Sequence, residues 1–300
     1  MTEASTTNSF AWRLVDEQFG SLLIAASNLI ERNPPTRLLR VERADMLVLS
    51  QLRIAINTCN AIRYLIAHKP PDPDRRPEFV SVTPVLERSI VDVLCNLIFL
   101  FNDLEANTSR YWKATWREQM EEHSLLKKTY GHLSEWAEWL SGSQTSIAEM
   151  KARHKITSEE EAKPDLILYW PIPNQMAKNA DLCDKRRNFL QYLIDWYYRI
   201  LSSAAHASGQ GMLNHAVPLI WDESKKRADF FEQTLSENMF DTVTLMLAVV
   251  SELESELNLG LAKRVRDLWT LVGAYCPGAK EVYERRYQAL LSSSLSDLSH

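Results

Sequence analysis

An arginine and a histidine seven residues apart stand out in the segment Tyr197-Tyr198-Arg199-Ile200-Leu201-Ser202-Ser203-Ala204-Ala205-His206. Seven residues make nearly two helical turns, so Arg199 and His206 project from one face of a helix. A guanidinium is a fixed cation with a rigid fork of donors, and an imidazole titrates near neutrality. Together they suit an anionic, phosphate-bearing partner. They also suit transesterification of RNA: the ribose 2′-hydroxyl attacks the adjacent phosphate, His206 moves the proton, and Arg199 neutralises the developing charge. No metal enters that scheme. Spacing alone also accommodates a plainer reading, a surface arginine and a histidine that favours the negative end of the helix dipole.

Other residues fall into place around this pair. Arg88 and Asp92 lie one turn apart on an otherwise apolar helix, where a charged pair must be satisfied. They form either an internal ion pair or a contribution to the Arg199–His206 cleft, with Glu87 expected on the solvent side. The cluster Lys185-Arg186-Arg187 and the run Lys225-Lys226-Arg227 flank the pair in sequence. Each reads as a solvated face or as a hold on an RNA backbone. His215 follows in a loop that could approach the same cleft. Ser202 and Ser203 adjoin the pair but lack the context of a nucleophile elbow.

Neither Glu-x-x-His nor His-Glu-x-x-His occurs, so no metal site is expected. Gly209-Gln210-Gly211 follows a helix instead of opening one. It reads as a stop signal and not as a nucleotide loop, and no cofactor is expected.

The elements that must carry these residues are helices. Apolar residues recur at helical spacing over residues 9–33, ended by Asn33-Pro34-Pro35, and again over about 36–68. Residues 69–83 are Pro-rich and charged, which predicts a loop. Thr83-Pro84 then reads as the start of a helix over about 84–104, apolar nearly all round. A long helix over about 108–140 carries Trp112, Trp116, Trp136 and Trp139, which read as core or oligomer contact before base-stacking platform. Residues 141–180 hold a short helix near 144–155 and an extended segment through Trp170-Pro171-Ile172-Pro173. Helices follow over about 178–207, 223–258, 261–275 and 279–291. The expected fold is an all-α multi-helix bundle with irregular Pro-rich insertions. It reads as one domain over residues 1–300, with a core at about 36–260 and the first and last helices as additions.

Composition supports that class. Glycine is scarce at 8 residues, and 45% of the chain is hydrophobic, enough for a substantial core. The net charge of −5 excludes a basic nucleic-acid coat and confines any such contact to a local patch. Cys59, Cys95, Cys183 and Cys276 lack metal-ligand spacing and read as reduced thiols. The polar opening MTEASTTNSF has no signal-peptide layout, and the longest apolar run is too short for a bilayer. No membrane contact and a cytoplasmic location are expected.

The stretch Tyr198-Arg199-Ile200-Leu201-Ser202-Ser203-Ala204-Ala205-His206-Ala207-Ser208 resembles the Tyr-Arg-x-Leu-Ser-x-x-x-His-x-Ser signature of a bacterial all-helical family of uncharacterised proteins. That family is grouped near the HEPN (higher eukaryotes and prokaryotes nucleotide-binding) domains. Arg88-Ser89-Ile90-Val91-Asp92 is similar to its Arg-Ser-Leu-x-Glu segment, with Asp92 in place of Glu. The resemblance implies a HEPN-like bundle acting as a homodimer on RNA or a nucleotide, as a metal-independent ribonuclease or RNA-binding effector in toxin–antitoxin or antiviral (phage) defence. Arg199 would stabilise the phosphorane and His206 would act as acid or base, with Arg88, Asp92, Tyr198, Ser202 and Ser203 in support. Active members carry a polar residue directly after the arginine, and this chain carries Ile200. The alternative is a non-catalytic helical module that binds a protein or nucleotide partner.

Overall fold

A computed structural model describes residues 3–68, 77–205 and 224–296. Among these residues the regular structure is helical, with no strand. The all-α expectation holds. The residues cluster into two compact units, Met1–Phe101 with Pro173–His300, and Asn102–Ile172, where the sequence reads as one helical domain.

The larger unit is organised around two helices. Helix α1 (Glu3–Arg32), the short α2 (Thr36–Leu39) and α3 (Ala44–Ala67) precede α4 (Pro77–Leu100). Arg43, in the left-handed conformation, separates α2 from α3, so the periodic stretch over about 36–68 is two helices and not one. Helix α4 is the centre. Ile90, Val91, Leu94, Cys95, Leu97 and Ile98 are completely buried, as expected for a helix apolar nearly all round.

It begins seven residues before Pro84, at Pro77, whose fixed φ suits a first helical turn. Pro84 lies inside the helix, which tolerates the one missing N–H donor. Thr83 is no cap: its hydroxyl accepts a hydrogen bond from Asn238 Nδ2 at 2.7 Å. After α8 (Pro173–Met176), α9 (Asp184–Leu193) and α10 (Arg199–Ala205) come α11 (Ser224–Leu257), α12 (Ala262–Gly273), α13 (Pro277–Val282) and α14 (Gln288–Ser296).

Helix α11 is the second central helix, with residues 242–254 all buried. It runs parallel to α4, because Thr83 meets Asn238 and, one turn on, Glu87 meets Thr242 at the same sequence offset. The seam between them is polar at these two rungs and apolar beyond. Asn258 and Gly260, both at positive φ, end α11.

The smaller unit is a helical hairpin. Helix α5 (Leu104–Tyr130) is capped by Asp103 and ends at Gly131, and α6 (Ala137–Arg153) returns along it. The expected single helix over about 108–140 is thus two, because Gly131 and the turn after it reverse the chain. Helix α7 (Ser158–Ala162) opens on a capping box between Thr157 and Glu160. The extended segment after it is held by Arg117, which donates to the Ile167 carbonyl at 2.7 Å and to Asp165 at 2.8 Å and lies 3.9 Å from the Tyr169 ring centroid. Trp116, Ile156 and Ile167 form the small core of this unit.

Candidate functional site

Helices α9 and α10 are joined by a π turn, Ile194–Tyr198, in which the Arg199 amide donates to the Ile194 carbonyl. A π turn inserts one residue into a helix and re-aims the side chains around it. The crowded run Asp195-Trp196-Tyr197-Tyr198 places its aromatics on opposite sides of that turn. Trp196 is exposed, while Tyr197 and Tyr198 are half-buried.

Tyr198 meets Arg88 of α4. The Arg88 guanidinium donates to the Tyr198 hydroxyl at 2.9 Å and lies 4.8 Å from the ring centroid. The structure therefore brings together two residues far apart in the chain, both singled out from sequence. Asp92 follows one turn after Arg88 and is half-buried. Burial pushes its carboxyl up, and the Arg88 charge opposes that shift.

Arg199 points to solvent. Its side chain is 76% exposed, and it donates to Asp195 at 3.1 Å in an i,i+4 pair. Asp195 also accepts from Gln191 at 3.0 Å. Ser203 donates to the Ile200 carbonyl at 2.7 Å, and the buried Ser202 hydroxyl oxygen has no hydrogen-bond partner among the described residues. His206 and His215 lie outside the described residues, so the geometry of the Arg199–His206 pair is not on view.

The basic cluster separates into different roles. Lys185 is exposed. Arg186 is committed to Glu256, which also accepts from Arg37 at 2.7 Å. Arg187 closes the turn before α9 through the carbonyls of Leu182 at 2.7 Å and Ala180 at 3.2 Å, and pairs with Asp184 at 3.2 Å. Two of the three cations thus hold the fold, and Lys185 is the one turned outward. Lys226, at the start of α11, is also exposed.

Behind Tyr197 lies an acidic layer that the sequence reading missed. Glu87 is 1% exposed, contrary to its expected place on the solvent side, and accepts from the Thr242 hydroxyl at 3.0 Å. Position 87 is one turn before Val91 on the buried face of α4, which turns it toward α11. Burial, then the charge of Asp241, push the Glu87 carboxyl well above its ordinary value, and the Thr242 hydrogen bond opposes them. Asp241 is pushed up to about 6, by burial and then by Glu237. The Tyr197 phenol is raised by burial and then by Asp241. The available signal was a polar residue at each fourth position, Thr83 with Glu87 and Asn238 with Thr242, on helices otherwise apolar at those faces.

Chemically, the arrangement offers one exposed guanidinium on a helix whose inner face is held by Arg88 and lies over a buried layer of carboxyls that burial pushes upward. Among the described residues no group of three or more His, Cys, Asp or Glu could hold a metal ion, and no helix is long and apolar enough to cross a membrane. Comparison with protein families finds a match to a family described as of unknown function (DUF5677), over residues 45–225. That span contains Arg88, Asp92, Arg199, His206 and His215. No curated protein and no solved structure matches the chain.

Proposed function

We propose, for a chain that belongs to the DUF5677 family of unknown function, that it is a HEPN-type effector that binds RNA at Arg199 and cleaves it without a metal. The observation that carries this reading is the state of Arg199. Its guanidinium stands in solvent at the end of a π turn, held by one exposed carboxylate. An exposed ion pair of this kind contributes about 0–1 kcal/mol. It can therefore be exchanged for a phosphate, which matches the guanidinium fork as well as a carboxylate does.

In this reading Arg199 receives the phosphodiester and stabilises the phosphorane. His206 takes the proton of the 2′-hydroxyl and returns one to the leaving oxygen. Arg88, with the Asp92 carboxyl one turn on, holds Tyr198 and so fixes the face that Arg199 leaves. Lys185 and Lys226 supply backbone contacts at a distance. Ile200, 54% exposed, points outward beside Arg199 without adding a proton donor. A role in toxin–antitoxin or phage defence belongs to the same proposal.

The test is cleavage of single-stranded RNA in EDTA by the purified chain. Cleavage should be lost in His206→Ala. In Arg199→Ala RNA affinity should fall about 10- to 100-fold, the scale of a charge-assisted hydrogen bond. Binding without cleavage by the wild type would leave the non-catalytic module. RNA affinity unchanged by Arg199→Ala would remove the reading altogether.

A further inference from the structure

The turn end of the α5–α6 hairpin carries apolar surface that its own unit does not enclose. From residue 118 to residue 150 no side chain is fully buried. Yet this stretch holds Leu125, Leu126, Tyr130, Trp136, Trp139 and Leu140. Leu125 is 64% exposed and Trp139 46% exposed. Tyr130 and Trp136 stack at 4.5 Å, and Trp136 meets Trp139 edge-on at 5.9 Å. Two helices cannot enclose a core between them, and the common solution is two more helices.

Charge around the same end indicates what supplies them. Lys127 and Lys128, both exposed, sit in the last turn of α5, while Glu135 and Glu138, also exposed, sit at the start of the return. Two cations and two anions at one level give no net field for a phosphate backbone or an anionic lipid surface. They do give a pattern complementary to itself.

We propose that this end of the hairpin docks on the same end of a second copy of the chain, giving a four-helix bundle about a two-fold axis parallel to the hairpin. In that arrangement α5 of one copy lies beside α6 of the other, antiparallel, and every neighbouring pair alternates in direction. Lys128, three residues from Leu125 on the same face of α5, faces Glu135 and Glu138 of the second copy, and Lys127 adds its charge at the rim. Leu125 and Trp139 lie at the same height above the turn, so each covers the other across the interface. The contact is isologous and closes at two copies. It is independent of the RNA reading, because no residue of the hairpin takes part in that site.

The experiment measures the mass of the full chain in solution by light scattering and sedimentation over a concentration series. The wild type should be a dimer, and the tryptophan emission should shift to the red on dilution as Trp139 is uncovered. Leu125→Glu with Trp139→Glu should give a monomer with unchanged helical content. Lys127→Glu with Lys128→Glu should weaken the dimer by roughly tenfold, about 1.4 kcal/mol. Mixing that variant with a Glu135→Lys, Glu138→Lys chain should restore a heterodimer. A wild type that stays monomeric, or a dimer that none of these changes weakens, would overturn the proposal. So would a monomer whose binding to RNA or to vesicles is lost in the Leu125/Trp139 variant.

Discussion

Among the described residues the larger unit contains two π turns, and Arg286 at one and Arg199 at the other are placed in opposite ways. At Tyr283–Tyr287 the turn presses Arg286 inward. Its side chain is 5% exposed and makes two hydrogen bonds, of 2.8 and 2.6 Å, to Glu252, which is fully enclosed. The Phe189 and Tyr287 rings lie against it. At Ile194–Tyr198 the turn sends the next residue, Arg199, outward to 76% exposure beside a carboxylate that is itself 41% exposed. The same insertion of one residue thus makes a structural bond in one place and presents a cation in the other. A buried guanidinium is explained by the carboxylate that neutralises it. The second turn also carries an exposed arginine, Arg285, but that guanidinium pairs with Glu281 and lies 4.5 Å from the Tyr192 ring centroid at 50% exposure, whereas Arg199 reaches 76%.

The largest effect should come from the enclosed arginine. Removing one partner of a buried pair leaves an uncompensated charge and costs about 3–5 kcal/mol. Arg286→Ala or Glu252→Ala should lower stability by that amount in urea or thermal denaturation. Replacing both with Met should recover most of it, because apolar groups of similar volume carry no charge to desolvate. If Arg286→Ala proved as mild as Arg199→Ala, the contrast between the two turns would collapse.

An intermediate effect should come from the acidic layer behind the first turn, and it should depend on pH. Asp241 titrates at about 6 in the folded chain against an ordinary value of 3.8. A carboxyl with a raised folded value holds its proton more tightly when folded. Its contribution is therefore fully present below about pH 4 and is lost as pH rises through about 6, on the order of 2–3 kcal/mol. Asp241→Asn should reduce the slope of the stability profile between pH 4 and 7, leaving the part that the raised carboxyls of Glu87 and Asp92 contribute. Arg286→Ala should leave that slope in place, since its cation does not titrate in this window. A slope unchanged by Asp241→Asn would separate Asp241 from the π turn it underlies.

Helix periodicity made the fold class legible, and buried α4 was recognisable from its unbroken apolar run. The α5–α6 reversal was not, because a single glycine inside a helical pattern reads as a bend as readily as a stop. Pro84 misplaced the start of α4, since a proline in a helix usually marks its first turn and here does not. The Arg88–Tyr198 contact was half visible: both residues stood out, but nothing local joins positions 110 residues apart. Glu87 was invisible as a buried group, because its burial depends on α11, which supplies Thr242 from 155 residues away. Likewise Arg186 and Arg187 looked like a basic patch, and only the folded chain shows that Glu256 and two carbonyls claim them.

The smallest effects belong to the exposed pair, and they decide what the first turn is for. Arg199→Ala should change stability by no more than about 0.5 kcal/mol, the usual range for a surface substitution away from buried features. Loss of RNA binding in the same variant would then report a role in function and not in folding. Asp195→Asn goes further. It removes the carboxylate that competes with a phosphate for the Arg199 guanidinium while keeping the side chain's shape. An exposed i,i+4 pair is worth about 0.3–0.5 kcal/mol, so freeing the guanidinium should tighten RNA binding about twofold. The sign is the informative part. Were Asp195 a second hold on the ligand, or a partner the helix needs, the same substitution would weaken binding or stability instead.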